Sequence, residues 1–236
     1  MSANAETLRG SELLGAAVRE TTPAQSDPLC EMSEWNLEAF AREQIRGLVR
    51  LVFFGNKARP VKQVVFSAAE PQTDVASICD QVGRALALET RGHIAIVGRD
   101  PGAKPGRRDH PRYVRAAAIK SWSDQLTINL WRVPEIGLCD SGGESGIGCD
   151  WLPRLAQLRT EFEYVVIQGP AAGTSSNAAV LGQLADGIIL VLGAHSTRRA
   201  AARKVKETLE AAQSRILGTV LSQRTFPIPD RIYRRL

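Results

Sequence analysis

A short apolar strand that runs through a Pro-containing loop into an amphipathic helix constrains this chain most. Val64-Val65-Phe66-Ser67-Ala68 reads as the strand and Ala69 to Asp74 as the loop. Val75 to Glu89 reads as the helix, with Ile78, Val82, Leu86 and Leu88 on or near one face. A strand apolar on both sides must be covered on both sides, which argues for a parallel sheet between two helical layers.

The same pattern recurs downstream. His93 to Val97, Leu126 to Trp131, Tyr164 to Ile167 and Gly187 to Leu192 read as strands, and Ile216 to Leu221 as a last core strand. Asp150 reads as the cap of a helix through Leu158. Ser175 to Leu184 reads as a helix, and Thr197 as the cap of a longer one reaching Ala212. Ahead of the first strand, Glu34 to Phe53 places Trp35, Phe40, Ile45, Leu48, Leu51 and Val52 at helical spacing. Arg99 to Arg112 and the five-glycine stretch over 137–148 read as loops. Strands alternating with helices predict an α/β domain over 34–236, a parallel sheet flanked by helices on both faces. Residues 1–33 are acidic and poorly periodic, and read as a flexible arm.

Strand, loop and helix in that order are also the layout of a phosphate-binding P-loop. Such a loop turns Gly-rich backbone amides toward phosphate and sets a Lys-Ser/Thr pair at the helix start. Here Glu70-Pro71-Gln72-Thr73-Asp74-Val75-Ala76-Ser77 occupies the place, with neither glycine nor lysine.

Composition narrows the setting. The chain has 236 residues and is 44% hydrophobic, enough for a sizeable core. No apolar run approaches the roughly 18 residues of a membrane-spanning helix, and Met1 to Glu6 lacks a secretory pattern. A cytoplasmic protein is expected. Cys30, Cys79, Cys139 and Cys149 form no CxxC pair and read as ordinary reduced thiols, so no metal site is expected. Charge is uneven: from Thr197 to Leu236, ten Lys or Arg face three acidic residues for +7, and the rest of the chain carries −2. A basic end suits an anionic membrane surface, an acidic partner or, less well, nucleic acid; it also suits a plainly solvated face.

Four blocks in order resemble the cytoplasmic domain of the bacterial tyrosine kinases, deviant Walker P-loop ATPases related to MinD and ParA. They are Val64 to Ala87; Ile94 to Pro101; Glu163-Tyr164-Val165-Val166-Ile167-Gln168-Gly169-Pro170; and Ala185-Asp186-Gly187 through Leu192, continued by the Thr197 helix and Leu217-Gly218-Thr219-Val220-Leu221. The resemblance covers roughly residues 38–236 and implies a P-loop NTPase-like fold.

Against the family's Pro-Gly-Glu-Gly-Lys-Ser/Thr-Thr loop, Pro71 remains. Gln72 and Asp74 replace glycines, Thr73 the glutamate, Val75 the lysine and Ala76 the magnesium-binding hydroxyl, while Ser77 keeps a hydroxyl next door. Gly98 stands at the first aspartate of the family's Asp-x-Asp-Pro, leaving Asp100. Gln168 replaces the Walker B aspartate, and Ser222 the asparagine that contacts the base. Loss of a lysine within 4 Å of phosphate removes roughly 4 kcal/mol in a partly screened site, nearly a thousandfold in affinity. ATP and magnesium are therefore not expected as cofactors, and no catalytic residue is assigned.

The resemblance also implies a C-terminal tyrosine cluster, of which only Tyr233 stands in this tail, as a phosphosite or a packing residue. It implies a Glu-x-x-Arg-x-x-Arg subunit contact, of which Glu43 and Arg46 match, with Val49 at the third position and Arg50 one step beyond. That set is a homo-oligomer contact or an ordinary surface ion pair. The implied setting is capsule or exopolysaccharide synthesis and export. The implied partner is the cytoplasmic tail of a membrane polysaccharide co-polymerase, which would hold the protein at the periphery of the inner membrane.

Three readings follow. The first is an inactive scaffold or regulator. The second is an active tyrosine autokinase with a rewired site drawing on Arg99, Lys104 or Arg107. The third is a MinD- or ParA-like positioning protein bound to membrane or DNA.

Overall fold

The computed structural model describes residues 37–56, 58–98, 118–134 and 151–223. All belong to the second of two compact units, which spans 35–236. The arm over 1–33, the loops over 99–112 and 137–148, the Asp150 cap and the tail after residue 223 lie outside the described residues.

Helix α1 (Leu37–Val49) passes into a π-helical turn, Arg50–Phe54. Then come β1 (Gln63–Ala68), α2 (Ala76–Glu89), β2 (Ile94–Val97) and a 3₁₀ turn over Ile119–Trp122. β3 (Asp124–Thr127), β4 (Leu130–Val133), α3 (Trp151–Glu161) and β5 (Tyr164–Gln168) follow. α4 (Asn177–Leu184), β6 (Gly187–Gly193), α5 (Arg199–Ala211) and β7 (Ile216–Ser222) close the described chain. The seven strands lie in the order β3-β4-β2-β5-β1-β6-β7, all pairs parallel except β3 with β4.

Strand alternation builds two cores. Val64, Phe66 and Ala68 face α1 and α2 with Val49, Phe53, Ile78, Val82 and Leu86. Val65 faces α3, α4 and α5 with Leu155, Leu158, Leu181, Val205 and Leu209. Every residue of β1 is buried, as a strand covered on both sides requires.

A polar pin fixes the lower end of the sheet. Asp186, in the turn before β6, accepts hydrogen bonds from the Lys62 and Gln63 amides, both at 2.8 Å, and from Arg159 Nη2 at 2.8 Å. The fully buried Gln63 donates to the Leu155 carbonyl and accepts from Arg159. The Ala185-Asp186-Gly187 block thus ties β1, α3 and β6 together.

Three sequence expectations change in detail. Leu126 to Trp131 is not one strand but the corner of a hairpin: β3 turns through Ile128-Asn129 into β4. Asn129 Nδ2 donates to the carbonyls of Ala87 and Thr90, which fastens that corner to the end of α2. Thr197 does not cap α5; its hydroxyl accepts the Gly193 amide at 2.9 Å, and Arg198 holds the cap position without a side-chain bond. β7 is an edge strand and half-exposed, because only β6 pairs with it.

Candidate functional site

In an open parallel sheet, ligands sit beyond the carboxyl ends of the strands, where successive connections leave in opposite directions. That point here is the end of β1, flanked by β5 and β6. The segments following β1 and β5 converge there, with Gly98 at the end of β2 beside them.

The loop after β1 is closed on itself. Ala69 N continues the pairing with Val191 O, and the Thr73 amide donates back to the Glu70 carbonyl at 3.2 Å. Pro71 takes the second place of that turn, where its fixed φ fits. An amide of the kind a P-loop aims at phosphate is thereby held within the chain. Thr73 is buried, and its hydroxyl has no hydrogen-bond partner among the described residues.

Asp74 fills the start of α2. One carboxylate oxygen accepts the Ser77 amide at 3.1 Å, and the other accepts the Ser77 hydroxyl. Val75 already has helical backbone angles, φ −85° and ψ −29°, and its carbonyl accepts the Cys79 amide at 2.9 Å. Asp74 is therefore a helix cap, binding one of the orphan amides that an anion would otherwise bind. Val75, at the lysine position, is buried with Ile78 and Cys79 in the α2-side core. Ala76 opens the helix. Gln72 is exposed on the loop.

The wall opposite is equally filled. After β5, Gly169 N donates to Phe66 O, Ser67 Oγ to Pro170 O, and Ala172 N to Ala68 O. Gly173 lies so close that a Cβ there would stand 2.2 Å from Ala69 O. At the end of β2, Gly98 has φ +154° and donates to Val133 O. Gln168 leans over it from the end of β5. Two of the three positions where the resembled kinase pattern carries aspartates thus pack against each other and bring no negative charge. Ser222 ends β7, its carbonyl accepting the Ala194 amide.

Beneath the loop lies Cys79. Burial first, then the charges of Asp74 and Asp80, push its thiol pKa well above the ordinary range, so it stays protonated and unreactive. Asp80 is held between Arg84, at 2.7 Å, and the buried Arg132. No group of three His, Cys, Asp or Glu that could hold a metal occurs among the described residues.

On α1, Arg46 bonds Glu43 at 3.2 Å and also reaches Glu89 at 3.4 Å, while Arg50 bonds Glu89 at 2.9 Å. Both arginines thus grip the end of α2 in their own chain, a contact with Glu89 that sequence spacing did not suggest. Arg99, Asp100, Lys104, Arg107 and Tyr233 lie outside the described residues.

No family model matches the chain. It is 33% identical over 66 residues to the tyrosine-protein kinase CpsD of Streptococcus agalactiae serotype III (strain NEM316). It is 30% identical over 73 residues to the tyrosine-protein kinase YwqD of Bacillus subtilis (strain 168). These matches take in 28% and 30% of this chain and span 28% and 31% of those relatives' lengths. Among solved structures, the VpsO kinase domain superposes with a TM-score of 0.61 at 18% identity, covering 80% of this chain and 98% of that one. The chain is therefore a homologue, over part of its length, of bacterial tyrosine kinases of the CpsD and YwqD kind, and it has the P-loop ATPase fold of their kinase domains.

Proposed function

We propose that this protein is a catalytically inactive, tyrosine kinase-like scaffold or regulator in bacterial capsule or exopolysaccharide synthesis and export. One observation carries the inactivity: the Asp74 carboxylate occupies the α2 N-terminus and bonds Ser77. A nucleotide phosphate would have to displace an anion that belongs to the chain, and would meet Val75 where a lysine should answer its charge. With Gly98 and Gln168 at two of the aspartate positions, two of the carboxylates that would hold magnesium against a transferring phosphoryl group are gone.

The polysaccharide setting rests on the resemblance to bacterial tyrosine kinases. The partner in this reading is the cytoplasmic tail of a membrane polysaccharide co-polymerase, which keeps the protein at the inner membrane. A two-sided core and a pinned sheet support this reading, since the fold they hold together does not depend on phosphoryl transfer.

Isothermal titration with ATP and ADP, with and without magnesium, tests the inactivity. No heat of binding is expected. Micromolar affinity, or transfer of label from ATP to Tyr233 that vanishes in Tyr233→Phe, would restore the autokinase reading. Capture of the purified protein by the immobilised co-polymerase tail tests the partner; no retention at low salt removes it.

A further inference from the structure

Helix α5 is amphipathic in an unusual way. Val205 and Leu209 anchor one side in the core, with Ala201 and Ala202 half-buried beside them. That fixes the helix in rotation and turns Arg198, Arg199, Arg203, Lys204 and Lys206 outward, all exposed. Lys206 pairs with Glu210 at 3.3 Å. The other four have no ion-pair partner among the described residues. A hollow of about 560 Å³ runs along Arg199, Arg203, Lys204 and Glu207.

Helix stability does not explain this charge order. The first turn holds no acid and the last turn no base, so cations sit at the positive end of the helix dipole and Glu207 and Glu210 at the negative end. The arrangement opposes the dipole and concentrates positive charge on the N-terminal half of the outer face, with Glu207 and Glu210 toward its other end. No exposed α5 residue is more apolar than alanine. A docked protein segment seats its anchors in well-packed, desolvated pockets, and the hollow here is lined by charged side chains and one alanine. A cluster of four or more Lys or Arg on an amphipathic helix suits instead a diffuse sheet of negative headgroups.

We propose that the outer face of α5 is a docking surface for anionic phospholipid, holding the domain flat on the membrane by charge alone, without insertion. The inference rests on the scaffold reading only in that a membrane surface lies within reach.

Flotation of the full chain with vesicles tests it, in the absence of any co-polymerase tail. The protein is expected to float with mixed phosphatidylglycerol and phosphatidylcholine vesicles at low salt, to stay down with phosphatidylcholine alone, and to be released as salt rises. The double variant Arg199→Gln, Arg203→Gln should lose roughly thirtyfold in vesicle affinity while melting like the parent. Failure to float at low salt, equal binding by the double variant, or retention on duplex DNA without vesicle binding would each overturn the proposal. Capture by the tail is read separately. A chain that binds the tail and no vesicles refutes the α5 surface alone; one that floats and ignores the tail refutes the partner alone.

Discussion

Gln168 closes over Gly98: a Cβ at residue 98 would stand 2.5 Å from Gln168 Oε1 and 2.6 Å from Gln168 Cβ. Gly98 also holds φ at +154°, which side chains of L-residues rarely adopt. The two residues have become a packing pair. Gly98→Ala is expected to destabilise the fold by about 2 kcal/mol through overpacking and backbone strain. Removing the neighbour in Gln168→Gly should recover the contact part and leave the strain. Urea denaturation of both single variants and the double checks this, with a coupling of at least about 0.5 kcal/mol expected.

Asp74→Ala removes the cap of α2 and frees the Ser77 amide. A loss of about 1 kcal/mol is expected, as for other N-cap deletions. Asp74→Asn, which keeps an acceptor, should lose less. Chemical denaturation measures both. MgATP should leave the melting temperature of the parent unchanged.

Asp186 holds two amides and a guanidinium with one carboxylate. Asp186→Ala leaves the amides of Lys62 and Gln63 without that acceptor at the foot of the central strand. A loss of about 3 kcal/mol is expected. Asp186→Asn should lose about half as much, since one oxygen remains to accept. Thermal melting and urea midpoints report the difference.

Cys79 gives a pH signature. Burial, with Asp74 and Asp80 adding, raises its pKa in the folded chain above the ordinary 9.0. Below that value both folded and unfolded chains carry the proton, and the thiol adds no pH dependence. Above it the unfolded chain releases the proton while the folded chain keeps it. Stability should then fall by about 1.4 kcal/mol per pH unit. Burial and Glu163 raise Tyr164 likewise, so it adds a second fall above pH 10.0. The slope just above pH 9 should flatten in Cys79→Ala. In the native protein, the Cys79 peptide should stay unalkylated by iodoacetamide until denaturant is added, as read by mass spectrometry.

Most of the fold was legible because strands buried on two sides must be apolar throughout. Val64 to Ala68, Tyr164 to Ile167 and Gly187 to Leu192 announce themselves that way, and all three are central strands. The edges were harder. Alternation from Leu126 to Trp131 survives a two-residue turn, so period alone hides the corner at Ile128-Asn129. Ile216 to Leu221 is as apolar as a core strand, and its exposure comes from lacking a second neighbour. At the site, the replacements at Gly98 and Gln168 could be read one by one. Their mutual packing could not, since seventy positions separate them in sequence. Asp74 reads in isolation as repulsion toward phosphate. Its bond to Ser77, three residues on, was the available signal: an acid before a helical run is a capping pattern.

The Asp74 cap bears on how the protein persists in a cell. A helix end completed by a bound phosphate is stable only while its ligand is abundant. This one carries its own anion, the Asp74 carboxylate, so the order of its first turn needs no bound phosphate. On the scaffold reading proposed above, that end keeps its shape whether nucleotide is plentiful or scarce.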